Sequence, residues 1–357
     1  MNIAEIDPNF KAADVGGVPV QYANALQGGP FRLSGFPWRD ADGTLRRLPV
    51  SMSRKEVNEG ALYLAQHTSG GQLAFRTDSR YIAIRAMLNI APHDMEHMPR
   101  TGSSGFDVYE WMPGGSVFRY VVGVSQLQLY GVMREEMVIP AAEERSMRSW
   151  RINFPLYGGV RTLEIGLEPG AAVEAPEPFR LEKPVVLYGG SIFQGACASR
   201  PGNSLGGMLC RELDAPQIGL GFSGCGLGEA AIARKIAELD MSALIMGCEL
   251  NSPTPEFLRD RLIPFHDIIR AAHPELPIIY VTQGDYIHPG HAAVIREMVE
   301  RAKSMGDLHS YLVTRTECFA ELADHNTATV DGCHPNDLGF YCMYRQVLPK
   351  LKKALNL

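Results

Sequence analysis

Along the first half of the chain, apolar and polar residues alternate in short runs. Ile82, Ile84, Ala86 and Leu88 fall on one face of an extended segment. Trp150, Ile152 and Phe154 do the same, as do Leu163, Ile165 and Leu167. A period of two is the pattern of a half-buried strand. The run 117–122 follows a turn at Pro113-Gly114-Gly115. Many short strands separated by Gly and Pro turns predict an all-β sandwich, jelly-roll-like, over residues 1–180.

Beyond residue 180 the pattern changes. Apolar runs at 185–188, 218–221, 243–246, 278–281 and 308–313 read as buried strands. Segments 204–213, 229–239, 257–272, 292–302 and 338–355 read as helices. Strands alternating with helices predict a parallel sheet covered on both faces, hence an α/β domain over 181–357. The segment 176–184, rich in Pro and Glu, reads as the linker. No internal repeat or low-complexity tract interrupts this plan.

Composition narrows the function classes. Of the 357 residues, 45% are hydrophobic and 21% charged, which supports a packed core and argues against disorder. The net charge of −6, with neither half basic, argues against nucleic acid or an anionic membrane as partner. No apolar run approaches the ~18 residues that span a bilayer. The start, MNIAEIDPNF, lacks the basic and apolar regions of a secretory signal. Seven cysteines without CxxC spacing read as reduced thiols, which predicts a cytoplasmic protein.

Three motifs invite chemistry and fall short of it. His93-Asp94-Met95-Glu96-His97 has the H-x-x-E-H form of a zinc protease. Pro92 and Pro99 bracket it, however, inside a β-rich region, so it reads as a loop and not a helical metal site. Gly219-x-Gly221-x-x-Gly224 has the dinucleotide form, with Asp240 at ribose distance, but sits at the second strand of the α/β unit instead of the first. Ser191 and Ser223 both fail G-x-S-x-G, which disfavours the α/β-hydrolase architecture.

Four separated pieces fit one task. Tyr188-Gly189-Gly190-Ser191 ends the first α/β strand, where open parallel sheets bind ligands, and places a serine there as nucleophile. Asp331 precedes His334 by three residues, close enough for its carboxylate to fix the imidazole tautomer and leave the other nitrogen for a hydroxyl proton. Gly224 and Asn251, each following a strand on the same sheet edge, offer a backbone and a side-chain donor to a developing oxyanion. Asn336 or Asp337 is also suited to capping the last helix.

Ser, Gly, Asn and His in this chain order resemble the SGNH (GDSL) hydrolases, and Asp331-Gly332-Cys333-His334-Pro335-Asn336-Asp337 is similar to that superfamily's closing block. Gly190-Ser191-Ile192-Phe193-Gln194-Gly195, Ala198-Ser199-Arg200-Pro201-Gly202 and Leu220-Gly221-Phe222-Ser223-Gly224 resemble a subfamily with a β-sandwich in front. Gly105-Phe106-Asp107-Val108-Tyr109 resembles that domain's G-x-D-L-Y signature.

The resemblance implies a flavodoxin-like three-layer αβα domain behind the sandwich. It implies Ser191 as nucleophile, His334 as base and then acid, and Asp331 as orienting carboxylate. The N–H groups of Ser191 and Gly224, with the Asn251 amide, would form the oxyanion hole. Gly190 departs from the usual Asp, Cys225 from a frequent Asn, and Asn251 lacks the usual G-x-N-D frame.

The expected activity is hydrolysis of a small O-acyl ester, acetyl above all, on a carbohydrate or similar polyol, with no cofactor or metal. An acyltransferase using the same triad, and a carbohydrate-binding protein with a vestigial hydrolase domain, are the alternatives. The oligomeric state stays open, a homo-oligomer included. For the leading domain, the bland expectation is that Phe106 and Tyr109 pack in the sandwich while Asp107 ties down a turn. The functional one is that its loops, including 93–104, lean over the active-site face.

Overall fold

In the computed structural model, residues 13–15, 17–39, 43–88, 96–112, 115–122, 134–140 and 143–357 are described. The N-terminal decapeptide, the turn residues Pro113 and Gly114, and His93 lie outside them.

Alternating residues before position 180 pair into two antiparallel sheets. One runs in the order Ala13–Val15, Val18–Asn24, Val160–Leu167, Tyr81–Leu88, Arg134–Pro140. The other runs Val173–Glu174, Gln72–Thr77, Arg148–Asn153, Phe106–Met112, Gly115–Val122, with Arg32–Ser34 also paired to Gln72–Thr77. Trp150, Ile152, Phe154, Leu163 and Ile165 are fully buried in the layer between them, as their alternation predicts.

The second half forms five parallel strands: β1 (Val185–Gly189), β2 (Gln217–Gly221), β3 (Ala243–Gly247), β4 (Ile278–Thr282) and β5 (Ser310–Thr314). Their order is β2-β1-β3-β4-β5, the flavodoxin-like arrangement whose switch point lies between β1 and β3. Continuous apolar runs form these strands because both faces are covered. The helices α1 (Ser191–Gln194), α2 (Leu205–Leu213) and α6 (Asp337–Ala354) share one core. The helices α3 (Ala230–Ala237), α4 (Pro255–Ala272) and α5 (Pro289–Ser304) share the other. Helix starts follow local chemistry. Ser204 caps α2 through the Gly207 N–H, Thr254 caps α4 ahead of Pro255, and Asn336 caps α6 through the Gly339 N–H. Asp337 does not cap; its carboxylate accepts from the Ser199 N–H at 2.8 Å and from Asn203 Nδ2 at 2.7 Å. Among the described residues no helix is long and apolar enough to cross a membrane.

The leading domain covers the open edge of the parallel sheet. Gly219 packs directly on the Ser69 carbonyl, where any Cβ would collide. Arg47, fully buried, donates to the carbonyls of Gly219 (3.0 Å), Gly221 (2.6 Å), Leu64 (2.6 Å) and His67 (3.0 Å). The glycines of the dinucleotide-like motif thus serve close packing of one domain on the other. A covered edge strand also offers no template for aggregation.

Asp107 ties down a turn, as the bland expectation has it, but a turn of the hydrolase domain, the 3₁₀ turn Pro201–Asn203. Its Oδ2 accepts from the Gly202 N–H (2.7 Å) and Arg200 Nη1 (3.0 Å), and its Oδ1 from Asn153 Nδ2 (2.8 Å). Tyr109, one turn of the pleat further, takes Arg200 and Arg211 on its hydroxyl.

Candidate active site

β1 ends at Gly189, Gly190 turns the chain, and Ser191 opens the single helical turn α1, which Gly195 closes at φ 97°. A Cβ at Gly189 would strike the Gly247 carbonyl and the Phe193 ring, and one at Gly190 would strike the Asn251 amide. The missing side chain at Gly190 therefore lets Asn251 approach the serine turn. As the first residue of a helical turn, Ser191 has an N–H with no intrahelical acceptor.

Asp331 and His334 arrive on a tight loop after β5. Thr329 bridges to Pro335, and the Val330 N–H donates to the His334 carbonyl at 3.0 Å. Gly332 makes the bend at φ 84°. Buried Arg315 holds that bend by donating to the Gly332 carbonyl at 3.1 Å. Asp331 Oδ1 accepts from the N–H groups of Cys333 (3.0 Å) and His334 (2.7 Å), and Oδ2 lies 2.7 Å from His334 Nδ1. Burial pushes the Asp331 carboxyl up, but the bonds from the His334 ring and these backbone groups outweigh it and hold it below the usual carboxylate range. An ionised carboxylate only accepts, so Nδ1 carries the proton and Nε2 is the acceptor. Nε2 faces Ser191 Oγ at 2.8 Å.

Asn251 stands in the short 3₁₀ turn Glu249–Asn251 after β3. Its Oδ1 accepts from the Gly226 N–H at 3.3 Å, and Asn251 lines the same small cavity as Ser191. Gly224 lies at φ 68° in the turn after β2, with open space where a Cβ would be. Gly226 packs its backbone on Gly189 and Gly190. Gln194, fully buried, accepts from the Ser223 N–H at 3.0 Å on Oε1 and donates to the Leu156 carbonyl at 3.1 Å. It ties the Gly224 turn to α1 and to the leading domain.

Sequence reasoning missed Gly226, Gln194 as an anchor, Arg315, and two residues of the cavity floor, Glu249 and Gln283. Glu249 is fully buried, which raises its carboxyl, and it accepts from the Gln283 N–H at 2.7 Å. The Gln283 amide lines the cavity with no partner among the described residues. Their only sequence signal was position: each follows the carboxyl end of a parallel strand. The thiols of Cys225 and Cys333 are raised by burial, and that of Cys197 is pushed up to about 12 by burial with Asp331 beside it. None is set up as a thiolate nucleophile.

The leading domain reaches this site. The His97 ring lies 5.8 Å, centroid to centroid, from that of His334. Met98 is buried in the hydrolase core, and Thr101 Oγ1 donates to the Ser199 carbonyl at 2.6 Å. Residues 96–99 form no helix; the short helix here begins at Arg100.

Residues 182–352 match the GDSL-like lipase/acylhydrolase family. Residues 20–173 match GxDLY, the N-terminus of SGNH-hydrolase-type esterases. A GDSL-like lipase from Bacteroides ovatus is 28% identical with a TM-score of 0.81, over 94% of this chain and 98% of that one. A salicylyl-acyltransferase from a tetracycline biosynthetic pathway is 18% identical, TM-score 0.74, over 95% and 98%. A family two carbohydrate esterase from Cellvibrio japonicus is 12% identical, TM-score 0.63, over 94% and 98%. The last two likenesses are of fold. None of the curated proteins matches the sequence. With one match on each half of the chain, the protein belongs to the SGNH/GDSL hydrolases, in the branch that carries a GxDLY domain ahead of the hydrolase domain.

Proposed function

We propose that the protein is a serine esterase that removes a small acyl group, acetyl above all, from a carbohydrate or similar polyol. The observation that carries this reading is the relay from Asp331 to His334 to Ser191, with contacts of 2.7 and 2.8 Å, at the carboxyl end of β1. Ser191 attacks the ester carbonyl while His334 takes its proton. His334 returns that proton to the leaving alcohol. Water then enters, His334 takes its proton in turn, and the acyl-enzyme is hydrolysed. The N–H groups of Ser191 and Gly224 and the Asn251 amide receive the oxyanion.

The cavity beside Ser191 has a volume of about 10 Å³, room for about one water or one methyl. Such a floor fits acetyl. On this reading p-nitrophenyl acetate exceeds the butyrate in kcat/KM by at least roughly tenfold, since each methylene is worth about 1–3 kcal/mol of discrimination. Equal rates for the two esters would remove the cavity from the acyl side. Sugar substrates are supported by the carbohydrate-esterase fold of the neighbours and by the leading domain's His97 beside the His334 ring. Acid release from a panel of short p-nitrophenyl esters and acetylated sugars tests the class. Adding alcohol acceptors to the same panel separates hydrolysis from acyl transfer.

Asn251→Ala is expected to lower kcat roughly 10²–10³-fold with little change in KM, as for loss of one oxyanion donor. Steady-state kinetics at wild-type turnover would take Asn251 out of the site. We divide the chain into 1–180 and 181–357, and place the protein in the cytoplasm because its seven cysteines are all free.

A further inference from the structure

His97 of the leading domain, Cys197 of the loop after α1, and His334 each bring a ligand atom to within 4.8 Å of the other two. Two imidazoles and a thiol form a donor set suited to zinc. Zinc holds nitrogen at about 2.0–2.1 Å and sulfur at about 2.3 Å, so closing around it asks for side-chain shifts of about 1 Å.

The Cys197 backbone supplies an independent observation. Among the described residues three non-glycines have positive φ: Cys197 at 72°, Asp214 and Asn356. Asp and Asn tolerate that region through their short polar side chains, whereas cysteine does not. A strained residue is held here with its thiol buried at the catalytic histidine. His97 is kept in register with it by contacts outside the Ser191 relay. Thr101 bonds the Ser199 carbonyl, and Gly102 packs on the Ala198 carbonyl so closely that a Cβ would collide.

We propose that His97, Cys197 and His334 form a zinc site through which the ion reversibly switches hydrolysis off. His334 Nδ1 is committed to Asp331, so Nε2 is the nitrogen free to bind metal, in place of its contact with Ser191. Asp331 then becomes the outer carboxylate that orients a metal-bound imidazole. On binding, a zinc–sulfur bond forms, the Cys197 proton passes to solvent, and no electron changes hands; water completes the tetrahedron. The loss of activity rests on the reading of His334 as general base, while metal binding does not. His97 is the last residue of the H-x-x-E-H segment, so that segment would supply one ligand to a site built otherwise than its motif suggests.

The test is titration of the full-length protein with cobalt(II) and with zinc alone. Cobalt should give a tetrahedral spectrum with a thiolate charge-transfer band. Cys197→Ser should abolish the thiolate band, and His97→Ala should weaken binding at least tenfold. Zinc should inhibit p-nitrophenyl acetate hydrolysis, and a chelator should restore it. Each variant, compared with its own metal-free rate, should need at least tenfold more zinc. No thiolate band in the wild-type protein overturns the site. So does equal zinc inhibition in wild type and both variants. A protein without esterase activity that still shows the band would defeat the functional reading and keep the site.

Discussion

Ser191→Ala is expected to lower ester hydrolysis by roughly 10⁴–10⁶-fold, the loss seen when the nucleophile of such a relay is removed. The fold should be untouched. Ser191 is half-buried, and among the described residues its hydroxyl is placed against a single partner, His334 Nε2 at 2.8 Å. Circular dichroism and the thermal midpoint should therefore match the wild type while acid release from acetyl esters falls to background. A variant that keeps more than a tenth of wild-type turnover would place the nucleophile elsewhere, with Ser223 on the neighbouring turn the first residue to examine.

The second large effect concerns stability. Asp107→Ala should cost about 3–5 kcal/mol in urea unfolding, the cost of breaking a buried ion pair from one side. Asp107 is fully buried, and burial raises its carboxyl against the pull of Arg200, Asn153 and the Gly202 N–H. Removing the carboxylate takes an acceptor from three donors. The Arg200 guanidinium keeps the Tyr109 hydroxyl but loses its counter-charge, and the N–H of the Gly202 turn, which has no room for a Cβ beside Tyr109, loses its partner. Asp107→Asn keeps the volume and one acceptor and should fall between the two. By the same reasoning, residues 183–357 expressed alone should be poorly stable, since Arg47 and Ser69 no longer cover β2. A cost under about 0.5 kcal/mol for Asp107→Ala, typical of a surface substitution, would show that the clamp contributes nothing.

The α/β half was legible because its strands are buried on both faces and read as continuous apolar runs. Every strand and long helix expected after residue 180 is present, with ends shifted by a few residues where caps such as Ser204 and Asn336 decide them. The sandwich was legible where alternation was clean, at residues 82–88, 150–154 and 163–167, and in the run 117–122, which lies within Gly115–Val122. Val18–Asn24 and Gln72–Thr77 carry no such signal, and Phe106–Met112 shows only through the signature at 105–109. In Phe106–Met112 the buried Asp107 and Glu110 break the apolar pattern because Asp107 serves the partner domain and Glu110 pairs with Arg119.

At the site, motif order brought forward Ser191, Asp331, His334, Gly224 and Asn251, and the structure places the first three in one hydrogen-bonded relay. Residues that act through distant contacts carried no local signal. Gln194 joins three segments far apart in sequence, and Arg315 supports a loop 17 residues ahead. The role of the leading domain was set by pairs separated by about a hundred positions, such as Asp107 with Gly202 and Thr101 with Ser199, which no periodicity reveals.

The most direct test of the central claim is to trap the covalent intermediate. The full-length protein is mixed with p-nitrophenyl acetate, quenched in acid within its first turnovers, digested, and examined by peptide mass spectrometry. The account predicts an acetyl group on Ser191 of the Gly190-Ser191-Ile192-Phe193 peptide, blocked beforehand by a fluorophosphonate probe that labels the same serine. Acetyl or probe on Ser223, or on any residue other than Ser191 in an active preparation, would contradict it.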